Sequence, residues 1–272
     1  MVNEFTVVKA NDTAAMSFLF ANAKTHEVLD LLPDRRLAQL RSYFLQYPRQ
    51  VREKVKTVSM DIYTPYMSLV KELFPKAEII LDRFHVMQLL YRALLKTRVD
   101  RMNTFRTDSK EYKLLKKYWR HLQKKPMNLN TSLRFYCYHR RCFTTSFETV
   151  EDLLEIDKEL TATYARIHSL GQAYMDKNKE RFFSLLDEDP QEISEYALTA
   201  IHTLRKYKDY LENSMSYAYN NGPIEGLIRK AKALTTVSYG YRNFERFKNR
   251  YLIICRQMIP ISEDTFSYKK AS

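Results

Sequence analysis

The sequence predicts an α/β fold, with an α/β core interrupted by a long helical insertion. Three observations carry this reading. Residues 1–85 alternate short strand-like apolar runs with runs of helical spacing. Residues 86–212 hold one glycine, Gly171, among long stretches of helix formers. The whole chain of 272 residues has only 4 glycines, where an average usage of about 7% would give roughly 19. Sandwiches and barrels, which lean on glycine turns, are disfavoured on that ground. Glycine-rich phosphate loops are excluded, because neither GxxxxGKS/T nor GxGxxG can be written. Three of the four glycines, Gly222, Gly226 and Gly240, fall within 19 residues, which marks that stretch as one with special backbone demands.

The elements follow in order. Val2–Val8 is a short apolar stretch. Met16–Phe20 and Glu27–Leu32 are strand-like, and residues 21–26 between them suit a hairpin turn. Leu37, Leu40, Tyr43 and Phe44 have helical spacing. Val55–Met60 alternates in part and reads as a strand that ends at Asp61. Tyr66, Leu69, Val70 and Leu73 give a helix stopped by Pro75. Ala77–Leu81 is a buried strand running into Asp82-Arg83-Phe84-His85. Residues 86–212 read as helix throughout. The last zone holds Asn220-Asn221-Gly222-Pro223-Ile224-Glu225-Gly226, a turn that opens a helix, followed by a basic, aromatic-interleaved stretch.

The chain carries 45 Lys and Arg against 32 Asp and Glu, a net charge of +13. A surplus of that size favours a polyanionic partner, nucleic acid first. It is not uniform. Residues 101–142 have twelve basic and two acidic residues, residues 147–198 have five and thirteen, and residues 226–256 have eight and one. Such runs serve either as solvated helix faces or as a basic surface for nucleic acid. The cysteines Cys137, Cys142 and Cys255 form no CxxC and no zinc spacing, and an odd count suits a reducing compartment. No apolar run approaches the ~18 residues that span a membrane, so no membrane association and a cytoplasmic location are expected.

Two acids stand out by position. Asp61 follows a buried strand, at the sheet edge where α/β proteins bind ligands and metals; the alternative is that it caps the helix beginning near Tyr63. Glu225 opens a helix after a tight turn; the alternative is an ordinary acid favoured by the helix dipole. Together they suit hard divalent cations, which take clustered carboxylate oxygens. Asp82 and His85 could bind metal or DNA, or form a structural hydrogen-bonded pair, which is the favoured reading. Arg229, Lys230, Lys232 and Arg242 are the expected DNA contacts, of the kind that position DNA without reading its sequence.

Val58-Ser59-Met60-Asp61-Ile62-Tyr63 with Pro65-Tyr66, then Phe74-Pro75, Ala77 and Asp82-Arg83-Phe84-His85-Val86, resemble the second-aspartate region of the DDE transposases of the bacterial ISL3 insertion-sequence group. Asn221-Gly222-Pro223-Ile224-Glu225-Gly226 resembles the segment with that family's catalytic glutamate, and Tyr239-Gly240-Tyr241-Arg242-Asn243-Phe244 the tail after it. The resemblance runs from about residue 2 to residue 256, with order and spacing matched. It implies a ribonuclease-H-like mixed sheet with a large all-helical insertion before the glutamate-bearing helix. The parts would be a core at 1–98, an insertion at 99–212, the rest of the core at 213–258, and a tail at 259–272. It implies DNA strand cleavage and joining with Mg2+ or Mn2+, Asp61 and Glu225 as metal-binding catalytic acids, DNA ends and target DNA as partners, a homo-oligomer, and work beside the nucleoid.

In the family the first acid sits in a hydrophobic-Asp-Glu-Phe segment. Here that segment reads Val2-Asn3-Glu4-Phe5, with Asn3 at the aspartate's place. A neutral amide offers one carbonyl oxygen and no charge, and so is a poor bridge between divalent cations. Glu4 would point to the opposite strand face. The expectation is impaired or absent catalysis, in a fragment or decayed copy without the family's N-terminal end-recognition region. The alternative function is a catalytically inactive DNA-binding remnant or regulator of an intact transposase.

Overall fold

The computed structural model describes residues 2–5, 16–188, 192–217 and 222–257. The side chains of residues 2–5, the expected turn at Asn220-Asn221 and the 259–272 tail lie outside the described residues. The chain divides into two units, residues 1–82 with 219–272, and residues 83–218.

In the first unit β1 (Val2–Phe5), β2 (Ser17–Ala21) and β3 (Val28–Leu32) form an antiparallel sheet in that order. The β2–β3 turn is made without glycine. The Asn22 side-chain oxygen accepts from the backbone N–H of Lys24 at 2.8 Å and of Thr25 at 3.1 Å, and His26 takes the left-handed conformation at φ 61°. Helix α1 (Leu37–Leu45) and the single turn α2 (Arg49–Arg52) lead to β4 (Thr57–Met60). Helix α3 (Thr64–Leu73) then crosses over to β5 (Glu78–Leu81), which pairs parallel with β4. β4 and β5 form a two-stranded sheet separate from β1–β3, and β1 comes close to β4 without a hydrogen-bonded pairing.

Period-2 alternation explains why β2 is buried on both faces. Leu19 and Ala21 join a core with Ile224, Leu227, Ile228 and Ala231 of α12 (Gly222–Val237) and Phe247 and Tyr251 of α13 (Phe244–Gln257). Phe18 and Phe20 turn the other way, Phe18 edge-on to Tyr66 of α3, and Phe20 edge-on to Tyr43 and Phe44 of α1. Asp30 on β3 is held by the Lys248 ammonium of α13 at 2.7 Å and the Tyr43 hydroxyl of α1 at 2.8 Å. The buried Tyr251 hydroxyl donates to the Leu227 carbonyl at 3.0 Å, which fixes α13 on α12.

Helix α12 stops in a Schellman turn. The Gly240 N–H donates to the Thr235 carbonyl at 2.8 Å and the Tyr239 N–H to Thr236 at 3.1 Å. Tyr239 at φ 53° and Gly240 at φ 95° are both left-handed, and only the second is a glycine.

The second unit is built on α4 (Arg83–Asn103), which packs against α8 (Lys158–Met175) and α10 (Glu195–Lys206). Gly171 permits the α4–α8 approach, since a Cβ there would fall 2.8 Å from the Met87 methyl. Around this core lie α5 (Lys110–Lys117), α6 (Trp119–Leu122), α7 (Ser146–Glu155), α9 (Lys179–Asp187) and α11 (Lys208–Ser216). Side chains of Ser109, Thr145, Asp157, Asn178 and Ser194 cap five of these helices, with a full capping box at Thr145 and Glu148. The expected junctions at 98/99 and 212/213 fall inside α4 and α11, which run unbroken through them.

The expected all-helical insertion needs correction. β6 (Phe135–Cys137) and β7 (Cys142–Thr144) form an antiparallel hairpin within it. Strands of three residues are too short for alternation to announce them. No described helix is long and apolar enough to cross a membrane.

Two outcomes follow for stability. Tyr251→Phe removes a buried hydrogen bond to the Leu227 carbonyl, which keeps its helical partner, so urea denaturation should show a loss of about 1 kcal/mol. His168 is buried, with its Nε2–H donating to the Leu122 carbonyl at 2.9 Å, and burial holds its pKa below the ordinary value. The unfolded chain therefore binds the proton more readily, so stability should fall as pH drops below about 6.5. Denaturation curves at neutral and mildly acid pH should converge in His168→Gln relative to the parent.

Candidate active site

β4 and β5 are in register, Met60 opposite Leu81, and each strand is followed at once by an aspartate. The Asp82 N–H donates to the Met60 carbonyl at 2.9 Å, which carries the ladder one step past the strand end. Parallel neighbours lie about 4.8 Å apart, so Asp61 and Asp82 leave the same edge side by side. An oxygen of each carboxylate lies within 4.8 Å of the other. Asp82 is buried, at 3% exposure, and Asp61 is partly buried. Helix α3 has Tyr63 as its N-cap with no side-chain capping bond. Two carboxylates at this separation are a donor set for a hard divalent cation.

Glu225 stands exposed in the first turn of α12, which packs over β1 and β2. Among the described residues it is not part of the Asp61–Asp82 cluster. The helix sorts its residues cleanly. Ile224, Leu227, Ile228 and Ala231 face the core, while Glu225, Arg229 and Lys232, at i, i+4 and i+7, share a solvent-facing stripe. Lys230 flanks that stripe, and Arg242 lies in the loop to α13; both are exposed. Asn3 is on β1, opposite Leu19 of β2, on the strand beside β4.

His85 follows Asp82 by three residues, in the first turn of α4. Between them, Arg83 has a role that sequence reasoning missed. Its guanidinium donates to the Tyr217 carbonyl at 2.9 Å and the Ser214 carbonyl at 3.5 Å, anchoring the start of α4 to the end of α11. A partner 134 residues away in the chain leaves no local signal.

A family model described as "Transposase", that of the DDE transposases of the ISL3 group, matches residues 1–251. The chain belongs to this family. The chain is 23% identical over 228 residues to the transposase for insertion sequence element IS1001 of Bordetella parapertussis, covering 81% of this chain and 52% of that protein. It is 28% identical over 109 residues to a Lactococcus lactis subsp. lactis protein named ATP-dependent protease, covering 40% of this chain and 35% of that one. The chain thus spans about half the length of the first relative and about a third of the second. No solved structure matches.

Arg83→Met should leave the carbonyls at the end of α11 without this donor. Chemical denaturation is expected to show a loss of about 1.5–3 kcal/mol, the range for a hydrogen bond from a charged group.

Proposed function

We propose that the chain is the catalytic domain of a DDE-type DNA transposase, on a ribonuclease-H-like core, impaired at the first of its three acids. The observation that carries the reading is Asp61, at the C-terminal edge of an in-register parallel pair and beside a second carboxylate. Supporting it, the strand carrying Asn3 pairs with β2 and comes close to β4, and the helix carrying Glu225 packs over that strand.

The residues fit a divalent cation in part. Asp61 and Glu225 would hold Mg2+ or Mn2+, with the Asp82 carboxylate close to the first. A bound ion would supply Lewis-acid activation of water and charge stabilisation at the phosphate. Asn3 contributes a neutral oxygen where the family uses an aspartate, so the site is one negative charge short. Asp82 and His85, separated by a single helical turn, would steady this edge as a structural pair. Arg229, Lys230, Lys232 and Arg242 would hold the DNA backbone, and joining two ends requires a homo-oligomer. Work on DNA places the chain in the cytoplasm with the nucleoid.

The second reading, an inactive DNA-binding regulator, is favoured by Asn3 alone. A strand-cleavage assay with Mg2+ or Mn2+ separates the two. Asn3→Asp should raise cleavage by roughly the 10²–10³ that a charge-stabilising group supplies, and Asp61→Asn in that background should abolish it. If Asn3→Asp binds DNA but cuts no better than the parent, the regulator reading stands. DNA binding has its own check. Arg229→Ala and Lys232→Ala should each weaken binding uniformly across sequences and lower the slope of log K against log salt by about 1.

A further inference from the structure

The geometry points to a second nucleic-acid contact: we infer that the outer face of the β6–β7 hairpin is a stacking platform for unpaired bases of single-stranded DNA. The inference rests on the reading of the chain as a DNA-handling protein and concerns a surface that reading does not use.

The hairpin register sorts its side chains onto two faces. Phe135 pairs with Thr144 and Cys137 with Cys142 on one face, and Tyr136 pairs with Phe143 on the other. The first face is the packed one. Cys137 is fully buried, and Phe135 stacks on His121 with ring centres 5.9 Å apart. The second face has no cover. Phe143 is 65% exposed and Tyr138, the first residue of the turn, 71%. Tyr136 meets both rings edge-on, at 5.0 Å from Tyr138 and 5.4 Å from Phe143. Single exposed aromatics are ordinary, but three joined through Tyr136 form a patch of the kind that marks a binding surface.

The charge around the patch says what binds. Arg134 and Arg141, at the two ends of the hairpin, are exposed, and the Lys117 ammonium lies 5.2 Å over the Tyr138 ring. Lys117 and Lys113 also help to push the pKa of His139 below its ordinary value, after burial, so the turn sits in a positive field. The nearby acids are already committed. Asp152 pairs with Arg140, and Glu148 is held by the capping box at Thr145 and by the Thr144 hydroxyl. An aromatic patch with a rim of one sign suits a polyanion that also offers π-faces. In a duplex those faces are stacked inside, so the ligand chemistry is that of unpaired bases. Base–aromatic stacking tolerates any sequence, which fits a protein that must handle whatever strand transposition frees.

The test uses the full chain and measures fluorescence anisotropy with a labelled oligothymidylate of roughly 16 nucleotides and with a blunt duplex of matched length. Tyr138→Ala and Phe143→Ala should each weaken single-strand binding by about 5- to 100-fold, as loss of one stacked base does, and duplex binding by no more than about 2-fold. Tyr138→Phe, which keeps the ring, should bind as the parent does. Should Phe143→Ala fail to fold, Tyr138→Ala, which lies in the turn and outside the ladder, carries the test. Parent-like single-strand affinity in the alanine variants overturns the inference, as do equal losses on both probes. So does a change in sedimentation with no change in single-strand affinity, which would make the patch a contact between copies of this chain. A parent that binds duplex but not oligothymidylate defeats this inference alone, and a parent that binds neither defeats the DNA reading with it.

Discussion

The in-register parallel pairing of β4 and β5 is the constraint on which the rest of the active-site edge depends. Because side chains alternate along a strand, a slip of one residue would send Asp61 and Asp82 to opposite faces of the sheet. The register observed, with Asp82 bonded through its N–H to Met60, keeps both at one edge. Parallel neighbours need a crossover, and α3 supplies it by burying Tyr66, Met67, Leu69, Val70 and Leu73. The residues that hold the register are therefore ordinary apolar core residues, and the polar ones appear only where the strands end. Asp82 is also the last residue of the first unit, so the chain enters the long insertion directly from this edge. It returns at residue 219, only six positions before Glu225. The insertion can thus be large without lengthening the loops that carry the acids.

On the proposed reading, one substitution at this edge would remove a charge the site needs. Asparagine and aspartate have nearly the same shape, so Asn3 can occupy β1 opposite Leu19 without disturbing the ladder. What changes is charge. Coulombic attraction to a divalent ion scales with ligand charge, and a neutral amide cannot replace a carboxylate shared between two cations. Folding and chemistry are separable here. A chain can keep the strand order, the crossover and the basic helix while losing catalysis at one position.

Much of this was legible in sequence. Apolar alternation gave β2 and β3, the strand–helix–strand run gave β4, α3 and β5, and helical spacing gave α1. Other parts were hidden for identifiable reasons. The hairpin turn at residues 21–26 was expected, but not how it closes without glycine, with a side-chain acceptor from Asn22 and a left-handed His26. The turn α2 has no buried residue, so no periodicity could reveal it. The β6–β7 hairpin was missed because its strands are short and lie in a basic, aromatic stretch that helix-forming neighbours dominate. Asp82 was read mainly as a partner of His85, since three residues of sequence suggest that. Its closeness to Asp61 depends on strand pairing across 21 positions, which sequence alone does not display.

Glu225 was the acid most open to a bland explanation, because an acid in a helix's first turn is favoured by the dipole whatever else it does. The geometry of α12 sharpens the choice. Glu225 and Arg229 are at i and i+4 in the favourable order, so a helix acting only as a solvated surface would be free to pair them. No ion pair joins them among the described residues, although both are exposed on one stripe with Lys232. The opposite face is committed to the core that includes Leu19, Leu31 and Tyr251, so the stripe cannot rotate inward. On the proposed reading, the acid in the first turn, followed at successive turns by exposed cations, would put negative charge where an ion is held and positive charge along the DNA backbone leading away from it.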